Sequence, residues 1–138
     1  MINETLPSVK GWIKVYAILE TGEKILLQDR KNALVSNARK IIAHCLGGDI
    51  LYALNQIGVY KAGVLIANTP SVTINYPSGD DKIRINGRFN EASFNDTVDE
   101  IKLGSIAGGI FSQVGSLSIL KTNTIQLEIE WVLTINNL

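Results

Sequence analysis

Between Ile125 and Ile135 every second residue is large and apolar: Ile125, Leu127, Ile129, Trp131, Leu133 and Ile135. Thr124, Gln126, Glu128, Glu130 and Thr134 fall between them. Only a β-strand places alternate side chains on opposite faces. Residues 121–137 therefore predict a long strand with one face in a core and one in water. Such a strand cannot stand alone, so the rest of the chain must supply a sheet. The C-terminal run sets the class as mainly β.

Upstream segments supply that sheet. In residues 11–19, Ile13, Val15, Ala17 and Leu19 alternate with Trp12, Lys14, Tyr16 and Ile18, which predicts a strand covered on both sides. Glu20-Thr21-Gly22-Glu23 reads as a hairpin turn in which Gly22 is free to take positive φ, and residues 24–30 return as a strand. Apolar strands are expected over 57–67 and 71–76, with a turn at Pro77-Ser78-Gly79-Asp80. Residues 82–89 alternate again, Ile83, Ile85 and Phe89 inward and Arg84 and Arg88 outward. Gly87 in that run suggests a bulge or a close backbone contact. A short strand at 100–103 precedes a Gly- and Ser-rich stretch, 104–118, expected as a loop interrupted by a brief strand at Ile110 and Phe111.

One helix is expected, over about residues 33–46. Leu34, Ala38, Ile41 and Cys45 recur at spacings of four, three and four, and Val35, Ile42 and Leu46 widen the stripe. Asn32 or Ser36 supplies the N-terminal cap, and Gly47-Gly48 ends the helix in the left-handed conformation. Arg39 and Lys40 turn outward. Seven to nine short strands with one helix describe an antiparallel β-sandwich or flattened barrel with the helix packed on it. The expected organisation is an arm of residues 1–9 and a single domain over 10–138.

Charge narrows the function classes. Thirteen basic and thirteen acidic side chains cancel. A nucleic-acid binder carries a basic surplus for phosphate contacts, so that class is disfavoured. Neutrality leaves little repulsion between copies, which suits a protein that assembles. Cys45 is the only cysteine, so no intramolecular disulfide staples the fold. The start, Met1-Ile2-Asn3-Glu4-Thr5, lacks the charged and apolar parts of a signal peptide. No apolar run is long enough to span a membrane. A cytoplasmic site of folding is the expectation.

The candidate chemistry is thin. His44 and Cys45 are adjacent, yet neighbours on a helix diverge by about 100°, so they do not make a nucleophile–base pair. Cys45 belongs to the apolar stripe, and His44 at the helix C-terminus meets the dipole favourably. Asn95, Asp96, Asp99 and Glu100 carry oxygens suited to calcium, but not at EF-hand spacing. Asp80 and Asp81 fit hairpin chemistry better than acid–base work. Gly47-Gly48 and Gly104 with Gly108-Gly109 match no phosphate-binding loop. Trp12, Tyr52, Tyr60 and Tyr76 offer a sugar-stacking platform, although scattered aromatics more commonly serve cores and interfaces. Asn3-Glu4-Thr5 and Asn95-Asp96-Thr97 match the glycosylation sequon, which means nothing without secretion. No catalytic residue, cofactor or metal site is assigned, and the expectation is a non-enzymatic protein.

The order of short motifs carries one resemblance. It runs from Lys10-Gly11-Trp12-Ile13-Lys14-Val15 through Lys31-Asn32-Ala33-Leu34-Val35, Arg39-Lys40-Ile41-Ile42-Ala43 and Ile57-Gly58-Val59. It continues with Asp99-Glu100-Ile101-Lys102-Leu103-Gly104, Ile110-Phe111-Ser112, Lys121-Thr122 and the closing Glu128-Ile129-Glu130-Trp131-Val132-Leu133-Thr134-Ile135. This resembles a group of small structural proteins of tailed-bacteriophage virions, found among tail, collar and capsid accessory components. The resemblance implies a β-rich assembly subunit, present in many copies and homo-oligomeric, that contacts capsid, collar, portal or tail proteins. It implies no catalytic residues, no cofactor, and no nucleic-acid or membrane partner. The rival class is a carbohydrate- or receptor-binding β-sandwich module, which would gather exposed aromatics on one face.

Overall fold

The structure, a computed structural model, describes residues 8–77 and 81–136. The two long strands β1 (Ser8–Ile18) and β11 (Gln126–Asn136) pair antiparallel in unbroken register from Ser8↔Asn136 to Ile18↔Gln126. They form the centre of a half-sheet in the order β2-β1-β11-β6-β5, completed by β2 (Lys24–Leu34), β5 (Val72–Asn75) and β6 (Lys82–Phe89). The second half runs β4-β3-β8-β9, from β3 (Gln56–Lys61), β4 (Val64–Asn68), β8 (Glu100–Ser105) and β9 (Gly109–Val114). Among the described residues only the end of β2 pairs across the halves, through Ala33↔Gln113 and Leu34↔Ser112 on β9. The sheet thus turns a corner at residues 33–34. A small ladder of β7 (Asp96–Val98) and β10 (Ile119–Lys121) stands apart.

The inward faces of the two halves share one core. Ile13, Val15, Leu127, Ile129, Trp131, Leu133, Ile85 and Phe89 come from the first; Ile57, Val59, Ile101, Leu103, Phe111 and Val114 from the second. This is the expected mainly β sandwich with one helix, built from eleven strands among the described residues rather than seven to nine. The alternation of the C-terminal run is realised in β11, where Leu127, Ile129, Trp131 and Leu133 are buried. The strand starts at Gln126, later than expected: Ile125 lies in a turn bonded to the Thr122 carbonyl, and Lys121 belongs to β10.

Several expectations are corrected. The helix α1 spans Ala38–Leu46, not 33–46, because Ala33 and Leu34 stay extended in the β2–β9 ladder. The Val35 N–H continues that pairing by donating to the Phe111 carbonyl, so sheet hydrogen bonds override helical spacing. Neither Asn32 nor Ser36 caps it. Asn37 holds the cap position, but its side chain donates instead to the carbonyls of Gly108 and Ile110. Of the nine helical residues only Ala38 and Ile41 are buried; Cys45 and Leu46 are exposed, so the stripe is shorter than its spacing implied. Gly47 keeps a negative φ, and Gly48 at φ +82° takes the left-handed turn.

Residues 57–67 form a hairpin, not one strand. Ala62 and Gly63, at φ +50° and +78°, make the two-residue turn between β3 and β4. The glycine-rich 104–118 stretch is largely ladder: β8 and β9 pair from Ile101↔Val114 to Ser105↔Gly109. Gly104 fits there because a Cβ would strike the Gly109 carbonyl. Gly87 marks a close contact rather than a bulge, since its neighbours Thr69 and Ile57 leave no room for a Cβ and both ladders pass through it unbroken. The outer face of β1 is half-exposed instead of covered, with Trp12 at 40%. Residues 8 and 9 belong to β1, not to the arm. The rest of the arm, with Asn3, and the 78–80 part of the expected turn, with Asp80, lie outside the described residues, as does Asn137.

On that outer face the charges neutralise one another. Arg84 meets Glu130 at 2.7 Å, Arg88 meets Glu128 at 3.2 Å, and Lys24 also reaches Glu128. Burial pushes the Glu128 carboxyl up, but the hydrogen bonds from Lys24 and Arg88 outweigh it and hold it below the ordinary 4.5. A lowered folded-state pKa contributes stability above the unfolded value, and that contribution is lost as pH falls below 4.5 through the folded value. Glu128→Gln is therefore expected to reduce the stability difference between pH 6 and pH 3 by about 1 kcal/mol at most. Urea unfolding at both values checks this; an unchanged difference would mean the pair contributes nothing.

Candidate interaction surface

Around the C-terminus of α1 and in the β8–β9 turn lie four of the most exposed aliphatic side chains among the described residues; Val64 on β4 and Leu120 on β10 are comparably exposed but stand singly. Leu46 is 84% exposed, Ile50 83%, Ile106 77% and Leu51 67%. Ile50 and Leu51 lie in a single 3-10 turn, Ile50–Tyr52, directly after the helix. Ile106 sits in the turn between β8 and β9.

These three pieces are locked together. Asp49 accepts the Leu51 N–H at 3.2 Å with one carboxylate oxygen, while the other lies 3.0 Å from His44 Nδ1. The His44 ring stacks on Tyr52 with centroids 3.9 Å apart. The Cys45 thiol donates to the Tyr52 carbonyl at 3.3 Å. The Asn37 amide holds the carbonyls of Gly108 and Ile110, and the Ile106 N–H donates to Asn55 at 3.2 Å. Gly108 is pressed so closely on Tyr52 and Ile41 that a Cβ would clash with both. Apolar side chains held out by a rigid support lose little entropy when a partner covers them.

His44 and Cys45 thus serve the same support. Burial and the nearby Asp49 charge push the Cys45 thiol up, away from the thiolate that nucleophilic work needs. The acidic candidates divide. Asp96 pairs with Lys61 at 2.9 Å, and that hydrogen bond holds its carboxyl below the usual value. Asp99 accepts the Ala62 N–H at 2.9 Å, and Glu100 lies 3.5 Å from Lys102. Asp96 and Asp99 brace the β3–β4 turn. Asp81 gives its carbonyl to the Ile135 N–H. Among the described residues no three His, Cys, Asp or Glu side chains gather at metal-binding distance.

No protein family, curated protein or solved structure matches this chain. Function has to be read from the surface itself.

The aromatic candidates do not share a face. Trp12 lies on the outer face of β1, and Tyr60 is on β3 in the other half with Lys102 4.5 Å from its ring centroid. Tyr52 packs under the helix, and Tyr76 follows β5. Other exposed apolar residues occupy strand edges. Ile25, Leu26 and Leu27 lie on the half of β2 that pairs with β1 alone. A bulge at Leu27, flanked by Lys24, Arg30 and Lys31, discourages strand addition there. The helical end has no such protection. Sequence reading placed Leu46 in the core and passed over Ile50, Leu51 and Ile106. Their one visible signal was an apolar Ile50-Leu51-Tyr52 run just beyond a double glycine.

Proposed function

We propose that this chain is a non-enzymatic structural subunit of a tailed-phage particle, joined to capsid, collar or tail neighbours and to its own copies. The observation that carries the reading is the helical end, where four large aliphatic side chains stand exposed on a rigid support. Single exposed aliphatics are ordinary, but a group of them marks an interaction site. The β-sandwich and the zero net charge agree with repeated use in an array. The separation of Trp12, Tyr52, Tyr60 and Tyr76 favours assembly over carbohydrate binding.

Light scattering over a concentration series tests it. The wild-type chain is expected to form a species larger than one chain. Leu51→Asp is expected to weaken that association by about tenfold or more, while the circular dichroism spectrum is unchanged. A monomer at every concentration that binds on a glycan array would replace this reading with the carbohydrate-binding one.

A further inference from the structure

A second surface lies at the opposite end of α1. Over residues 8–10, β1 is paired with β11 on one flank; its other flank has no strand among the described residues, because pairing with β2 begins only at Gly11↔Asn32. β2 leaves β1 at this point to reach β9. The open flank borders two grooves, of about 760 Å³ and about 540 Å³, that share Val9 and Leu34. Their floor is apolar, with Val9, Leu34, Val35, Ile42 and Val132 half-buried. Lys10, Lys31, Lys82 and Arg39 line the grooves beside a single carboxylate, Asp81, and none of the four cations forms an ion pair among the described residues.

We propose that this groove receives residues 1–7 of a second copy, added as a strand along residues 8–10. The inference deepens the assembly reading and rests on it. The segment Met1-Ile2-Asn3-Glu4-Thr5-Leu6-Pro7 has the matching chemistry: Ile2 and Leu6 for the floor, and Glu4 for the cationic rim. Unpaired edge groups on β1 supply main-chain hydrogen bonds, the mode of β-augmentation.

Backbone chemistry at Leu6-Pro7 disfavours pairing of an arm with its own flank. To pair with residues 8–10 it would have to reverse at Leu6-Pro7, and two-residue hairpin turns need positive φ at one or both centres. Proline fixes φ near −65°, and the residue before it is held extended. Seven extended residues span about 23 Å, enough to reach a neighbour. Exchanged reciprocally, the arms close a two-fold dimer; passed in one direction, they generate rings or longer arrays.

Full chains carrying Cys45→Ser and one new cysteine each test the proposal. One bears Leu6→Cys; the other bears Arg39→Cys or Lys82→Cys, at the two ends of the groove. Mixed and oxidised, they are expected to form a covalent heterodimer. A chain with both cysteines that closes on itself as a monomer overturns the proposal, and so does the absence of any cross-link between the arm and the groove. Loss of the cross-link on adding a single-stranded oligonucleotide would reassign the four cations and also overturn it. In light scattering, Leu6→Asp is expected to raise the dissociation concentration more than tenfold with an unchanged circular dichroism spectrum. An oligomer that survives Leu6→Asp but is lost in Leu51→Asp removes the arm and leaves the assembly reading. A wild-type monomer at every concentration removes both.

Discussion

Trp131→Ala is expected to destabilise the protein by about 3–5 kcal/mol, the range for emptying a large aromatic site in a packed core. Trp131 is fully buried at the centre of β11, opposite Ile13 on β1 and Ile85 on β6. Its cross-strand neighbours are held by unbroken ladders on both flanks, so the site has little freedom to collapse. The indole N–H meets no hydrogen-bond partner among the described residues. Trp131→Phe therefore loses volume but also removes an unsatisfied buried donor, and about 1–2 kcal/mol is the expected loss. Urea unfolding of both variants checks the pair. A phenylalanine as harmful as alanine would mean that the N–H is bonded and counts.

Lys121→Met is expected to lose about 3 kcal/mol, although methionine matches the length of the lysine stem and suits a buried site. The ammonium is fully buried and donates to three carbonyls: Glu91 and Phe94 at 2.9 Å and Thr122 at 3.1 Å. It also lies 5.0 Å from the centroid of the Phe94 ring. Burial lowers its pKa while the Glu91 charge opposes that shift. The lysine thus ties the loop after β6 to the approach to β11, and methionine leaves those carbonyls without their donor. The stability loss should accompany faster hydrogen exchange across residues 90–95. A neutral substitution with unchanged exchange would show that water satisfies those carbonyls equally well.

The same residue shows where reading the sequence stops. The C-terminal pattern places Lys121 at the start of a long strand, and nothing local distinguishes a buried lysine from a solvated one. Its burial depends on carbonyls up to thirty positions away. The helix start failed for a related reason. Leu34 and Val35 have helical spacing to Ala38 and Ile42, yet Ser112 and Phe111 on β9 claim their neighbourhood with sheet hydrogen bonds. The turn at Ala62-Gly63 was missed because the apolar run on either side reads as continuous. The Gly-rich 104–118 region looked like a loop, whereas Gly104 is a ladder residue at a tight strand crossing. Of the interaction surface, neither Ile50, Leu51 nor Ile106 was singled out, since an exposed aliphatic and a buried one are spelled alike.

What the sequence determined by itself is the class and the facing of its clearest strands. Period-two alternation in β6 and β11 is a property of neighbouring residues, and it assigns Ile85, Leu127, Ile129 and Trp131 to the core, whereas in β1, bulky on both faces, it does not choose the core side. Tertiary structure alone decided which strands pair, where β2 turns the corner, and which end of α1 carries Leu46 into solvent. Those outcomes depend on hydrogen bonds and contacts between residues far apart in the chain, and strand alternation assigns faces without naming neighbours.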